Sequence, residues 1–204
     1  MFIVARILGF LTLALAPAIA TAATILVFGD SLSAGYGLPQ ERSWPSLLEK
    51  RLRETESPYR VVNVSISGET TAGGARRIDA ALETHRPQIV VLELGANDGL
   101  RGQNLDVMRR NLEKMIDASR RAKAQVLLVG MRLPPNYGMA YTGKFQQIYV
   151  DLAREKKVAF VPFLFEGFAD NGAYFQNDRV HPTSEGQVLM LETVWKGLKS
   201  LLRR

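Results

Sequence analysis

Short β-branched and apolar runs alternate along this chain with longer amphipathic stretches. The first run is Thr24-Ile25-Leu26-Val27-Phe28, ending at Gly29; similar runs occupy residues 59–64, 89–94, 126–129 and 158–161. The first, third and fourth are nearly all apolar, as strands buried on both faces must be. Between the runs the period changes. Leu105, Met108, Leu112, Met115, Ile116 and Ser119 follow i, i+3, i+4 spacing and predict a helix. Val188, Leu191, Trp195, Leu198 and Leu202 predict another near the C-terminus. Ile78, Ala81, Leu82 and His85 form a third stripe that stops before Pro87. Residues 44–53 and 144–157 complete the set.

Strand–helix alternation over the whole length predicts an α/β fold with a parallel sheet covered on both faces. Five strands and about five helices suit a flavodoxin-like three-layer α/β/α sandwich. The strand order 2-1-3-4-5 is expected from its frequency among such folds. At 204 residues, without repeats or linkers, the chain reads as one domain over 21–204.

The first 20 residues differ. Arg6 is the only charge before Asp30, and an apolar run beginning at Ile7 leads to Ala18-Ile19-Ala20. A basic residue, a short apolar region and an A-x-A site read as a cleaved signal peptide, with cleavage after residue 20 or 22. The run from Ile7 to Ala20 is shorter than the ~20 residues of a spanning helix. The expected location is therefore periplasmic or secreted.

Composition narrows the chemistry. There is no cysteine, which excludes disulfides, thiolate catalysis and Cys-ligated zinc. Only His85 and His181 are present, so no metal site is expected. The formal charge is +6, but the basic residues are scattered without interleaved aromatics, so no nucleic-acid partner is expected. Contact with an anionic membrane surface is at most peripheral.

In parallel sheets, ligands bind outside the carboxyl ends of the strands. After the first run comes Gly29-Asp30-Ser31-Leu32-Ser33, with a serine at the strand-to-helix corner. After the second comes Ser67-Gly68-Glu69-Thr70, where Gly68 lets backbone approach a ligand. After the third, Gly95-Ala96-Asn97-Asp98 offers a side-chain amide donor. After the fifth, Asp178-Arg179-Val180-His181 places a carboxylate three residues before a histidine, a spacing that lets it bond Nδ1 and leave Nε2 as a base. Each has a plainer reading alone: an N-cap serine, a turn glycine, a turn asparagine, a surface aspartate with a capping histidine. Together they supply what acyl transfer requires: a hydroxyl, a base to activate it, an orienting carboxylate and oxyanion donors. His85 lies on a helix stripe at the other end of a parallel sheet and reads as structural.

These four segments resemble the conserved blocks of the SGNH, or GDSL, hydrolases. The resemblance spans essentially the whole chain after residue 20 and is closest to the small periplasmic thioesterase I, lysophospholipase and arylesterase type. It is carried further by residues 65–68, 92–95, 97–102 and 132–138. It implies a carboxylic ester hydrolase with the triad Ser31, His181 and Asp178. The implied oxyanion donors are Ser31, Gly68 and Asn97, and no cofactor or metal is needed. Small acyl esters, thioesters or lysophospholipids are the implied substrates, and a monomer is expected. Ala96 departs from the pattern where relatives often carry glycine. Apolar residues near the site, Leu32, Leu100, Leu133 and Tyr137 among them and Trp44 and Met139 nearby, suggest an acyl groove. Gly99 and Gly102 bracket a segment that could hinge as a lid. Two other readings stay open at this level: a carbohydrate O-acetyl esterase of the same superfamily, and a non-catalytic flavodoxin-like ligand-binding module. Residues 29–37 contain neither a lysine nor the glycine pattern of a phosphate-cradling loop.

Overall fold

The computed structural model describes residues 22–202. The proposed signal peptide lies outside them, apart from the cleavage boundary. Five parallel strands, β1 (Ala23–Gly29), β2 (Tyr59–Asn63), β3 (Ile89–Glu93), β4 (Gln125–Val129) and β5 (Ala159–Val161), form one sheet in the order β2-β1-β3-β4-β5. Every neighbouring pair is parallel. β1, β3 and β4 occupy the centre and are almost wholly buried. This is why their sequences are apolar without alternation.

Helices cover both faces. α3 (Thr71–His85), α5 (Leu105–Arg121) and α6 (Met139–Lys156) pack side by side on one; α2 (Trp44–Glu54) and α7 (Ser184–Leu198) pack together on the other. α5 buries the predicted stripe Leu105, Met108, Leu112, Met115, Ile116 and Ser119. Two further helices, α1 (Ser31–Ala34) and α4 (Ala96–Leu100), are single turns at the carboxyl ends of β1 and β3.

Three details depart from the pattern-based expectation. The buried face of α7 is wider than the predicted stripe and excludes its first member. Leu191 and Leu198 are buried and Trp195 and Leu202 pack against the core, Gln187, Met190 and Val194 also face inward, and Val188 is exposed. Gln187 takes an inward position with a partner of its own: its Oε1 accepts the backbone N–H of Trp44 at 2.8 Å and joins α7 to α2. α6 begins at Met139 rather than near Lys144, and Met139 is 90% exposed. Trp44 is fully buried in the core rather than beside the site. Among the described residues no helix is long and apolar enough to cross a membrane.

Candidate active site

The parallel arrangement gathers the ends of β1, β2, β3 and β5 at one rim. Gly29 closes β1 opposite Glu93 of β3. A Cβ on Gly29 would lie 2.6 Å from Glu93 Oε2 and 2.9 Å from the Glu93 carbonyl, so only glycine fits there. Asp30 follows and caps α1, its Oδ1 accepting the Leu32 N–H at 3.0 Å. Ser31 is therefore the first residue of a helical turn, and its N–H has no acceptor within that turn.

His181 precedes α7 on a loop pinned to residues 174–176. Its carbonyl accepts the Gln176 N–H at 2.8 Å, and the Thr183 N–H donates to the Tyr174 carbonyl at 2.8 Å. The Gln176 amide donates to the carbonyls of Tyr36 (2.8 Å) and Pro182 (3.0 Å), tying this loop to the one after α1. The Tyr36 ring lies 4.4 Å from the imidazole, centroid to centroid.

Ser31, His181 and Asp178 form a continuous chain of hydrogen bonds. His181 Nδ1 lies 2.7 Å from Asp178 Oδ2, and Nε2 lies 2.9 Å from Ser31 Oγ. A carboxylate only accepts, so Nδ1 carries the proton and Nε2 accepts from the serine hydroxyl. Asp178 is held in turn: its Oδ1 accepts the N–H groups of Val180 (2.9 Å) and His181 (3.0 Å). Partial burial works against the Asp178 charge, but the bonds from the His181 N–H, the His181 ring and the Val180 N–H outweigh it and hold the pKa at about 2.

Opposite the serine, α4 carries Asn97. Its Nδ2 donates to Asp30 Oδ2 at 3.1 Å and to the Glu69 carbonyl at 3.0 Å. Gly68 sits at the exposed corner of a turn closed by the Glu69 N–H to the Ile66 carbonyl at 3.0 Å. Its φ of +77° is the conformation that the third residue of a type II turn requires. Asp98, buried, accepts the Thr71 N–H at 2.8 Å and the Thr71 hydroxyl at 2.5 Å, fixing the start of α3.

Beneath the serine lies a buried acid pair that sequence reasoning missed. Burial pushes Asp30 up to about 6, against the pull of the Leu32 N–H, the His181 charge and Asn97. Burial also drives Glu93 well above the usual carboxylate range, reinforced by the Asp30 charge. Glu93 Oε2 accepts the Ser33 hydroxyl at 2.7 Å, while Oε1 has no partner. Burial of this kind favours the neutral form of the carboxyl group. No local sequence pattern marks the pair, because it arises from the register of β1 with β3.

A cleft of about 830 Å³ opens beside the triad, lined by Ala96, Leu100, Met131, Leu133 and an aromatic group containing Phe163, Phe165, Phe168 and Phe175. Leu32 is instead a core residue. Tyr137 reaches α4 through its hydroxyl, which donates to the Leu100 carbonyl at 2.9 Å. The small size of Gly99 serves packing, since a Cβ there would lie 2.7 Å from Leu133 and Phe145. His85 ends α3 shortly before the start of β3, at the amino-terminal end of the strands and away from the rim that carries Ser31. Among the described residues no three His, Asp or Glu side chains gather in a metal-binding arrangement.

A parallel five-stranded sheet bearing a serine, an asparagine and a histidine on separate strand ends defines an SGNH-type hydrolase. The chain belongs to the GDSL-like lipase/acylhydrolase family, whose model matches residues 27–189. It is 46% identical over 194 residues to the esterase TesA of Pseudomonas aeruginosa, covering 95% of this chain and 96% of that one. It is 39% identical over 183 residues to the thioesterase 1/protease 1/lysophospholipase L1 of Escherichia coli, covering 90% and 86%. The crystal structure of TesA superposes with a TM-score of 0.85 over 88% of this chain and 99% of that one, at 46% identity. The esterase EstA from Pseudoalteromonas, solved with a monoethylphosphonate inhibitor, superposes with a TM-score of 0.83 at 38% identity, covering 87% and 97%.

Proposed function

We propose that this protein is a serine esterase that hydrolyses acyl esters and thioesters, including lysophospholipids, through an acyl-enzyme on Ser31. The observation that carries the reading is the 2.9 Å approach of Ser31 Oγ to His181 Nε2, with Nδ1 bonded to Asp178. Ser31 Oγ attacks the acyl carbonyl as its proton passes to His181. Asp178 keeps the imidazole in the required tautomer and stabilises the imidazolium. The buried Asp30 adds a second favourable charge facing that imidazolium. The N–H groups of Ser31 and Gly68 and the Asn97 amide stabilise the oxyanion. His181 then protonates the departing alcohol or thiol, and water repeats the sequence on the acyl-enzyme.

The neighbouring cleft combines Leu100, Met131, Leu133 and the phenylalanines with Arg132, Glu166, Asp170 and Arg179, and its apolar members support an acyl chain as the bound part of the substrate. The names of the relatives, esterase and thioesterase/lysophospholipase, agree with that chemistry. Residues 1–20 act as a signal peptide, and the mature enzyme works as a periplasmic or secreted monomer.

Fluorophosphonate labelling tests the nucleophile. The wild type should be labelled and Ser31→Ala should not; labelling that persists in Ser31→Ala refutes the assignment. A panel of p-nitrophenyl esters from acetyl to long acyl chains tests the substrate class. Confinement to acetyl, with activity on acetylated glycans, would make the protein a carbohydrate O-acetyl esterase instead.

A further inference from the structure

We infer that Arg101 is a positioning residue of the oxyanion hole, holding the turn that presents the Gly68 N–H. This rests on the reading of Ser31 as nucleophile and Gly68 as oxyanion donor. Arg101 caps the C-terminus of α4, the turn that also carries Asn97. Its Nη2 donates to the Gly68 carbonyl at 3.1 Å. The Gly68 carbonyl and the Glu69 N–H belong to one peptide unit, so that unit is held at both ends: its oxygen by Arg101, its hydrogen by the Ile66 carbonyl at 3.0 Å. A cation on the oxygen polarises the peptide and strengthens the bond its N–H makes. That second bond closes the turn which keeps Gly68 at φ +77°.

Two other α4 side chains grip the following residues. Asn97 Nδ2 donates to the Glu69 carbonyl, and Asp98 accepts from Thr71. Gly68, Glu69 and Thr71 are thus fixed to a single helical turn. Of these anchors, Arg101 is the one that holds Gly68 itself. Glycine at an exposed turn is the most freely moving of residues, so the donor in most need of an external anchor has one. The Asn97 and Gly68 donors consequently move as one unit, because both are referred to α4.

A surface arginine bonding a carbonyl has a plainer role, a small contribution to stability. An exposed cation beside the serine could also contact an anionic head group. The three roles separate by measurement. Steady-state kinetics on p-nitrophenyl butyrate and on lysophosphatidylglycerol, the rate of fluorophosphonate labelling and the melting temperature would be compared for wild type, R101A and R101K. We expect R101A to lose kcat and labelling rate on the order of 10- to 100-fold on both substrates, as for a misplaced oxyanion donor. KM and melting temperature should stay unchanged. R101K, which keeps a donor on a long stem, should recover part of the loss. Unchanged kcat in R101A, or a loss confined to KM for lysophosphatidylglycerol, would overturn the inference. If R101A melts early, R101M, which keeps the aliphatic stem, is judged by the same criteria. Activity surviving in Ser31→Ala would instead overturn the underlying functional reading, so the two failures are distinguishable.

Discussion

Asn97 Nδ2 donates to Asp30 Oδ2 at 3.1 Å, so the amide beside the proposed oxyanion site is aimed by the residue immediately preceding Ser31. Its other acceptor, the Glu69 carbonyl, lies one residue after Gly68. A single side chain therefore ties together the loops after β1, β2 and β3. To donate to an oxyanion, Asn97 has to share one of these hydrogens. The exchange favours the transition state, because a developing negative oxygen is a stronger acceptor than a neutral carbonyl.

Asn97→Ala should lower kcat by about 10²–10³-fold with little change in KM, as for other lost oxyanion donors. Asn97→Asp should do at least as badly, since it replaces the donor to Asp30 Oδ2 with another carboxyl group. Steady-state kinetics on a p-nitrophenyl ester checks both. A loss seen only in KM would contradict the role.

The strands and most helices are legible in the sequence because burial on two faces or one face leaves a repeating trace. The candidate site was legible because Ser31, Gly68 and Asn97 follow within a few residues of readable strands, and His181 follows an aspartate by three residues just before the last helix. α1 and α4 were not, since one helical turn is too short to show a period. Glu93 and Asp30 read as ordinary strand-end residues, and only the pairing of Gly29 with Glu93 brings them together. On α7 only Val188 was placed wrongly; the neighbouring polar residue Gln187 faces inward instead, accepting from a backbone N–H 143 positions away. Hydrophobic patterning has no means of seeing such a bond.

The buried Asp30 makes stability depend on pH. Its pKa of about 6 in the folded chain stands above the ordinary 3.8, so the folded state binds this proton more tightly than the unfolded state. Its contribution is fully present below about pH 4 and lost as pH rises through about 6. Glu93 acts in the same direction, while Asp178, held at about 2, acts only below pH 4. Asp30→Asn should remove part of the decline in unfolding free energy between pH 4.5 and 7.5, at about 1.4 kcal/mol for each unit of displaced pKa. Urea unfolding at the two pH values measures it, and parallel pH dependences for wild type and variant would contradict the burial argument.

Leu100 is half-buried on the wall of the cleft. Leu100→Trp should fill part of that space and lower kcat/KM for long acyl esters by about tenfold or more, leaving acetyl esters little affected. The ratio of the two specificity constants is the measurement. An unchanged ratio would mean that the acyl chain lies elsewhere.

Two glycines offer a contrast in stability. Gly95, between β3 and α4, has φ +119°, and a Cβ there would run into the Tyr149 hydroxyl. That hydroxyl is fully buried and donates to the Leu94 carbonyl at 3.0 Å. Gly95→Ala adds backbone strain of about 1–3 kcal/mol and displaces a buried donor, at a further cost of about 1–3 kcal/mol. Gly143 lies exposed within α6, with nothing within 4 Å of its Cβ position. Gly143→Ala should therefore stabilise by about 0.5–1 kcal/mol, the usual helical preference for alanine. Thermal melts should move in opposite directions, with Gly95→Ala also losing kcat because Asn97 follows it by two residues. Equal shifts would show that the close approach of Tyr149 to Gly95 is not what holds this corner.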